Sequence, residues 1–281
     1  MIPDELNVAL DYYGFETPQI IEHFESGGEW RVRSGGRVLR WALVGARAAD
    51  HITRDAGMLA TLEHHRIPAP KLLALDTAGT RQVVSVQHLL LPDARSGAEA
   101  GGLTERGWHA LGAYLYALHE RGPRSPTTPE GQVGLGALKR LEGAGVLSAA
   151  DSRWLRQWWG LLPSSVPLVL THGYVAPNWV VADEQGDLVL GLTDWGIAQM
   201  RPPGHDFLYL PEPALWTVLE GYGPTGLPLF LRAKLSRLVE DALNQLREVG
   251  KARPEPRLLS VAEEFGGILE RAGLARLGGV G

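Results

Sequence analysis

Cysteine is absent from all 281 residues. Its absence removes disulfides, thiolate nucleophiles and cysteine-based metal sites together. Long apolar runs are missing as well: none approaches the roughly 20 residues that a membrane-crossing helix needs. The stretch Met1–Gly14 has neither the basic region nor the apolar core of a secretory signal, so a cytoplasmic protein is expected. Neither sign of charge dominates. With 27 Lys and Arg against 32 Asp and Glu, the net charge of −5 points to neither nucleic acid nor an anionic membrane as a partner. No repeat with a period of 20–50 residues is visible, which argues against a solenoid or a propeller.

What remains is the composition of an ordinary globular chain, 44% apolar and 21% charged. From Pro18 to Leu91 short strand-like segments predominate: Ile20–Phe24, Glu29–Val32 and Arg37–Leu43, parted by the turn residues Ser26-Gly27-Gly28 and Ser34-Gly35-Gly36. Ala49–His65 instead carries a helical period through Ile52, Leu59 and Leu62, and it stops before Ile67-Pro68-Ala69-Pro70. Lys71–Leu75 and Gln82–Val86 complete a small α+β unit. Ala94–Gly102 is small and polar, as expected of a linker. Beyond it the pattern turns helical: Thr104–His119, Val133–Leu147, Ala149–Leu162, Leu210–Tyr222, Leu229–Val249 and Leu258–Ala275, with a breaker at Lys251–Pro256. The tryptophans at 154, 158 and 159 read as core packing rather than a base-stacking platform.

Chemistry concentrates in Leu168–Asp194. An apolar run reaches the polar turn His172-Gly173-Tyr174. Trp179–Ala182 and Leu188–Thr193 then flank Asp183-Glu184-Gln185-Gly186-Asp187 as a hairpin that delivers Asp194-Trp195-Gly196. An Asp at the end of an apolar strand is costly to bury without a partner or a cation, which makes Asp194 a candidate metal ligand. Strand, turn, hairpin and distal Asp form a compact layout for phosphate and metal. His64-His65 lacks the acidic partners of a metal site, and Ser85 and Ser236 lack the context of an activated nucleophile.

In order and spacing this stretch resembles the aminoglycoside phosphotransferase and choline-kinase-like family, whose fold is similar to that of protein kinases. The family's signature is His-Gly-Asp, four residues, Asn, a hairpin, then Asp-Trp; here it reads THGYVAPNWVVADEQGDLVLGLTDWG. The likeness runs along nearly the whole chain. Arg37-Val38-Leu39-Arg40 resembles the strand carrying the phosphate-binding Lys, and Arg54–Leu59 the helix that offers its Glu partner. Leu111–His119 resembles the helix ending in Leu-His, and Gly204-His205-Asp206 the segment after the site. The resemblance implies a kinase-like two-lobed α+β fold: a β-rich nucleotide-binding lobe over residues 1–91 and a larger helical lobe over 92–281. It implies ATP and Mg²⁺ as cofactors, and transfer of the ATP γ-phosphate to a small hydroxylated or amino-containing molecule. It makes His172 and the position of Tyr174 catalytic, Asp194 and Asn178 metal-binding, and Arg40, Asp55, Gly27 and Gly28 nucleotide-binding. Asp206 becomes a structural brace.

The departures fall inside that site. Tyr174 occupies the position of the catalytic Asp, and a phenol is a poor base at neutral pH; general-base help is worth about 10²–10⁴ in rate. Trp179 stands where the metal-binding Asn is expected, with Asn178 one residue early. A one-residue deletion in the loop would restore the Asn. The hairpin register, Trp179-Val180-Val181-Ala182-Asp183 against Asn-apolar-apolar-apolar-Asp, favours a true displacement. Arg40 and Asp55 replace Lys and Glu, an exchange that can still close an ion pair but is not neutral. An impaired or inactive phosphotransferase is therefore expected ahead of an active kinase with a rearranged loop, and ahead of a binding protein on a kinase fold that takes no nucleotide.

Overall fold

The computed structural model describes residues 2–16, 18, 20–25, 27–77, 81–88, 95–96, 102–126, 130–249 and 261–274. The expected lobe boundary after residue 91, most of the expected linker, Ser26 and the breaker at 251–256 lie outside them.

The chain opens with helix α1 (Asp4–Tyr12), followed by strands β1 (Ile20–Phe24), β2 (Glu29–Ser34) and β3 (Arg37–Leu43). Helix α2 (Arg47–His64) and strands β4 (Lys71–Asp76) and β5 (Gln82–His88) complete an antiparallel sheet in the order β1-β2-β3-β5-β4. The central strand β3 is covered on both sides, and alternation along it decides which side chain meets which helix. Leu39 and Trp41 join Val32, Val84 and Val86 against Leu6, Ala9 and Leu10 of α1. Ala42 and Val83 pack instead on Ala48, Ala49 and Ile52 of α2. Arg40 shares the parity of Ala42, so the sheet drives a guanidinium into a buried layer under α2.

The rest of the chain runs through β6 (Arg95–Ser96), α3 (Glu105–Arg121), β7 (Arg124–Ser125), α4 (Glu130–Gly143), α5 (Ala149–Leu161), β8 (Leu168–Thr171), β9 (Val180–Ala182), β10 (Val189–Leu192) and β11 (Gln199–Arg201). Helices α6 (Glu212–Tyr222), α7 (Gly226–Val249) and α8 (Val261–Arg271) follow. The helices beyond residue 104 fall within a few residues of the sequence expectation. Thr104 caps α3 by accepting from Gly107 N, and Ser148 caps α5 by accepting from Asp151 N. Helix α1 and the short strands β6, β7 and β11 were not assigned from the sequence pattern.

Two compact units result, each gathered from separated segments. The first comprises residues 1–123, 169–200 and 209–224; the second comprises 124–168, 201–208 and 225–281. In the first unit α3 and α6 approach so closely that a Cβ on Gly112 would lie 2.1 Å from Val218 O, and one on Gly221 2.0 Å from His109 O. In the second, Trp154 and Trp158 set their rings edge-on to Phe265, and the Arg232 guanidinium lies 4.0 Å over Trp159, so the tryptophan group is packing. Among the described residues, no helix is long and apolar enough to cross a membrane.

Candidate active site

The residues gathered around Asp194 belong to the first unit. Asp194 follows the hairpin strand by two residues and lies in the left-handed region, at φ 67° and ψ 50°. For a residue with a Cβ that conformation costs roughly 1–3 kcal/mol and must be held by its surroundings. Two contacts from α2 hold it. Asp55 Oδ1 accepts from the next backbone amide, Trp195 N, at 2.6 Å, and His51 Nε2 donates to Asp194 Oδ1 at 2.8 Å. His51 and Asp55 are four residues apart and therefore share one face of the helix. Gly196 is required here, because a Cβ would meet the His51 ring at 2.5 Å.

Arg40 is the centre of the charge network. Its Nε and Nη2 donate to the two oxygens of Glu29 at 2.7 and 3.1 Å, its Nη1 reaches Asp55 Oδ2 at 3.0 Å, and its Nη2 reaches Asp194 Oδ1 at 3.3 Å. Gln87 Nε2 donates to Asp55 Oδ2 at 2.6 Å. Arg31 stands opposite Arg40 in the β2–β3 register, and Glu29 accepts from it as well, at 2.5 and 3.3 Å. Arg31 Nη2 then completes the set on Asp194 Oδ1 at 3.2 Å. Burial alone would raise the Asp194 carboxyl, but the hydrogen bond from His51 and the guanidiniums of Arg40 and Arg31 prevail and hold it far below the usual carboxylate range. Glu29 is lowered in the same way, burial being outweighed by Arg40 and Arg31. Burial disfavours the Arg40 cation, yet Asp55, Glu29 and Asp194 raise its pKa above the ordinary arginine value.

The other expected residues are placed less centrally. His172 is fully buried, Nε2 donating to Thr193 O at 2.8 Å with its ring edge-on to Trp195, so it ties the turn to the strand end. Tyr174 is 42% exposed, and its ring lies 4.9 Å from that of Tyr209; among the described residues it makes none of the bonds around Asp194. Asn178 is exposed in the single-turn helix Pro177–Trp179, while the half-buried Trp179 ring lies 5.5 Å from the Arg31 guanidinium. Gly27 and Gly28 fold onto the start of α2, Gly27 O accepting from Ala48 N at 3.2 Å. Asp206 is fully buried in the second unit. The structure thus gathers Arg40, Asp55 and Asp194, and it adds Glu29, Arg31, His51 and Gln87, none of which the motif comparison singles out. The signals for them are the i, i+2 pair Glu29 and Arg31 on a strand and the i, i+4 pair His51 and Asp55 on a helix.

A divalent cation does not fit this arrangement. It needs several oxygen ligands, at about 2.0–2.1 Å for Mg²⁺. Asp194 Oδ1 instead faces two guanidiniums and an imidazole, and among the described residues no group of three or more His, Asp or Glu could hold a metal.

Residues 25–257 match the profile of the phosphotransferase enzyme family. The chain belongs to that family. Among solved structures similar to this member is aminoglycoside 2'-phosphotransferase-IIIa in its GDP complex, with 14% identity, 96% of this chain and 98% of that one covered, and a TM-score of 0.55. A second is the ADP-bound aminoglycoside phosphotransferase APH(2'')-Ib, with 14% identity, coverage of 94% and 97%, and a TM-score of 0.55. A third is the choline kinase LicA from Streptococcus pneumoniae, with 11% identity, coverage of 95% and 98%, and a TM-score of 0.51. At such identities the likeness establishes the fold, which is the kinase-like one. No curated protein matches the chain significantly.

Proposed function

We propose that this phosphotransferase-family member has the frame of an ATP-dependent kinase of small hydroxylated or amino-containing molecules, with phosphoryl transfer impaired or lost. The observation that carries this reading is the state of Asp194, the acid that the family resemblance assigns to the metal: it is ion-paired with Arg31 and Arg40 and hydrogen-bonded to His51. Tyr174 in place of the catalytic Asp points the same way, since a phenol removes general-base help from the substrate hydroxyl. Family membership and the GDP- and ADP-bound neighbours make a purine nucleotide the candidate ligand, ATP being the one the family resemblance implies, in a cytoplasmic protein. A second reading, an active kinase with a rearranged loop, draws support from the buried Arg40–Asp55 pair at 3.0 Å, which closes as the family's Lys–Glu pair does.

The test is phosphoryl transfer from ATP with Mg²⁺ across a panel of amino-sugars and amino-alcohols. No turnover is expected from the natural chain. Phosphorylation of any panel member that disappears in Asp194→Ala would replace this reading with the active kinase. A combined exchange, Arg31→Met and Tyr174→Asp with Asn178→Trp and Trp179→Asn, is expected to recover measurable transfer if those positions are the missing parts.

A further inference from the structure

We propose that the Arg31 guanidinium is a tethered cation that takes the place of a divalent metal at Asp194, so that this site excludes Mg²⁺ and Mn²⁺ and any nucleotide it accepts is bound free of metal. The proposal rests on the site assignment above but not on whether phosphoryl transfer occurs.

Position comes first. Arg31 and Arg40 face each other across β2 and β3, an arrangement of like charges that is unfavourable without counter-ions. Glu29 accepts from both guanidiniums, and Asp194 Oδ1 accepts from the Nη2 of each. Arg31 is also held by two aromatic rings. Its guanidinium carbon lies 4.7 Å from the centre of the Phe24 ring and 5.5 Å from that of Trp179. Rings at these distances attract a cation through their negative faces. A long, flexible side chain is thereby fixed by a carboxylate on one side, π-faces on others and Asp194 at its tip.

The identity of residue 179 gives the arrangement its logic. The family pattern assigns this position a metal-binding amide. An indole has an N–H donor but no oxygen to offer a cation such as Mg²⁺. Its π-face, however, is a good partner for a guanidinium. The one replacement therefore removes a metal ligand and supplies a holder for the cation that stands in its stead.

Glu29, Asp55 and Asp194 are three carboxylates; the guanidiniums of Arg31 and Arg40 stand among them, and His51 hydrogen-bonds to Asp194. A divalent ion brought to Asp194 would meet two guanidiniums within 3.3 Å of the same oxygen and would have to expel at least one of them.

Mn²⁺ binding to the full-length chain, read by electron paramagnetic resonance, tests this directly. The natural chain is expected to show no site at Asp194 with a Kd below about 1 mM. Arg31→Met with Trp179→Asn is expected to gain one site at least tenfold tighter, and adding Asp194→Asn should remove it. Arg31→Lys keeps the cation and should gain nothing. The proposal fails if the natural chain binds one Mn²⁺ that Asp194→Asn abolishes. It fails equally if the double variant, shown to be folded by circular dichroism, gains no site. Should the double variant not fold, the natural chain and Arg31→Met alone decide. In parallel, the thermal shift caused by ADP should be the same in EDTA and in Mg²⁺, and a shift seen only with Mg²⁺ would overturn the proposal. Turnover in EDTA would sink the impaired-catalysis reading and leave this one standing, whereas Mn²⁺ at Asp194 without turnover would do the reverse.

Discussion

Arg40 and Arg31 are both arginines bonded to Glu29 and Asp194, yet they carry different weight for stability. Arg40 is 3% exposed and answers three carboxylates. Arg40→Met would leave Glu29 and Asp55 buried without their main counter-ion, and breaking a buried pair from one side costs roughly 3–5 kcal/mol. Arg31 reaches solvent, so Arg31→Met should cost only about 1–2 kcal/mol. Urea midpoints of the two variants should separate accordingly, and equal losses would mean that the network is not centred on Arg40. A second residue gives a pH signature. In the second unit His205 is pushed down to about 4, first by burial and then by Arg201 and Arg237, with Asp206 opposing. A histidine depressed in the folded state binds its proton more readily when unfolded. Its contribution is thus complete above about 6.5, the ordinary histidine value, and is lost as pH falls toward 4. Because His205 is partly solvated, the loss should be well short of the roughly 1.4 kcal/mol per pKa unit of full burial. His205→Gln should flatten the pH dependence of the urea midpoint between those values, and an unchanged slope would assign that dependence elsewhere.

Helices α3 and α6 show how an element depends on what it lacks. Gly112 and Gly221 let each backbone lie against the other's carbonyls, at separations no Cβ tolerates. The atoms in the way are backbone, which cannot rotate aside. Gly112→Ala or Gly221→Ala should therefore cost at least the roughly 1–3 kcal/mol of ordinary overpacking, even though alanine favours an isolated helix by about 1 kcal/mol. A rise in melting temperature for either variant would show that the helices can part without penalty. Elements of this kind were largely legible in the sequence. The alternation of β3 and the period of α2 follow from local apolar spacing, and Asp194 stood out because an acid ending an apolar strand needs a partner. Helix α1 escaped because it is only nine residues long and its exposed Val8 and Tyr12 blur the stripe of Leu6, Ala9 and Leu10. Arg31, Glu29 and His51 escaped for another reason. Their role arises where β2 meets β3 in register and where a helix face meets a turn more than 140 residues away. Spacing within one segment carries no record of such a meeting.

At the scale of the whole molecule, the chain passes between its two compact units at residues 123/124, 168/169, 200/201, 208/209 and 224/225. The first unit is therefore not a contiguous piece of sequence, although residues 1–123 supply its sheet and three of its helices. A fragment ending at 123 would keep α3 but lose α6. Leu111, Leu115 and Leu118, all fully buried in the intact chain, lie on α3. His119 would lose its 3.0 Å contact with the Tyr222 hydroxyl. The fragment would also lose the turn that follows Asp194, so Asp55 would have no Trp195 amide to accept from. Glu29, Arg31 and Arg40 would keep one another but forfeit Asp194. Fully burying a leucine is worth about 1.5–3 kcal/mol, and whole domains are stable by only about 5–15 kcal/mol, so uncovering several at once removes the margin. Fragment 1–123 is accordingly expected to melt without a cooperative transition and to bind a hydrophobic dye. A sharp melt close to that of the intact chain would instead mean that the sheet and α2 fold without the hairpin, and that the Asp194 network is added to a finished unit rather than built into it.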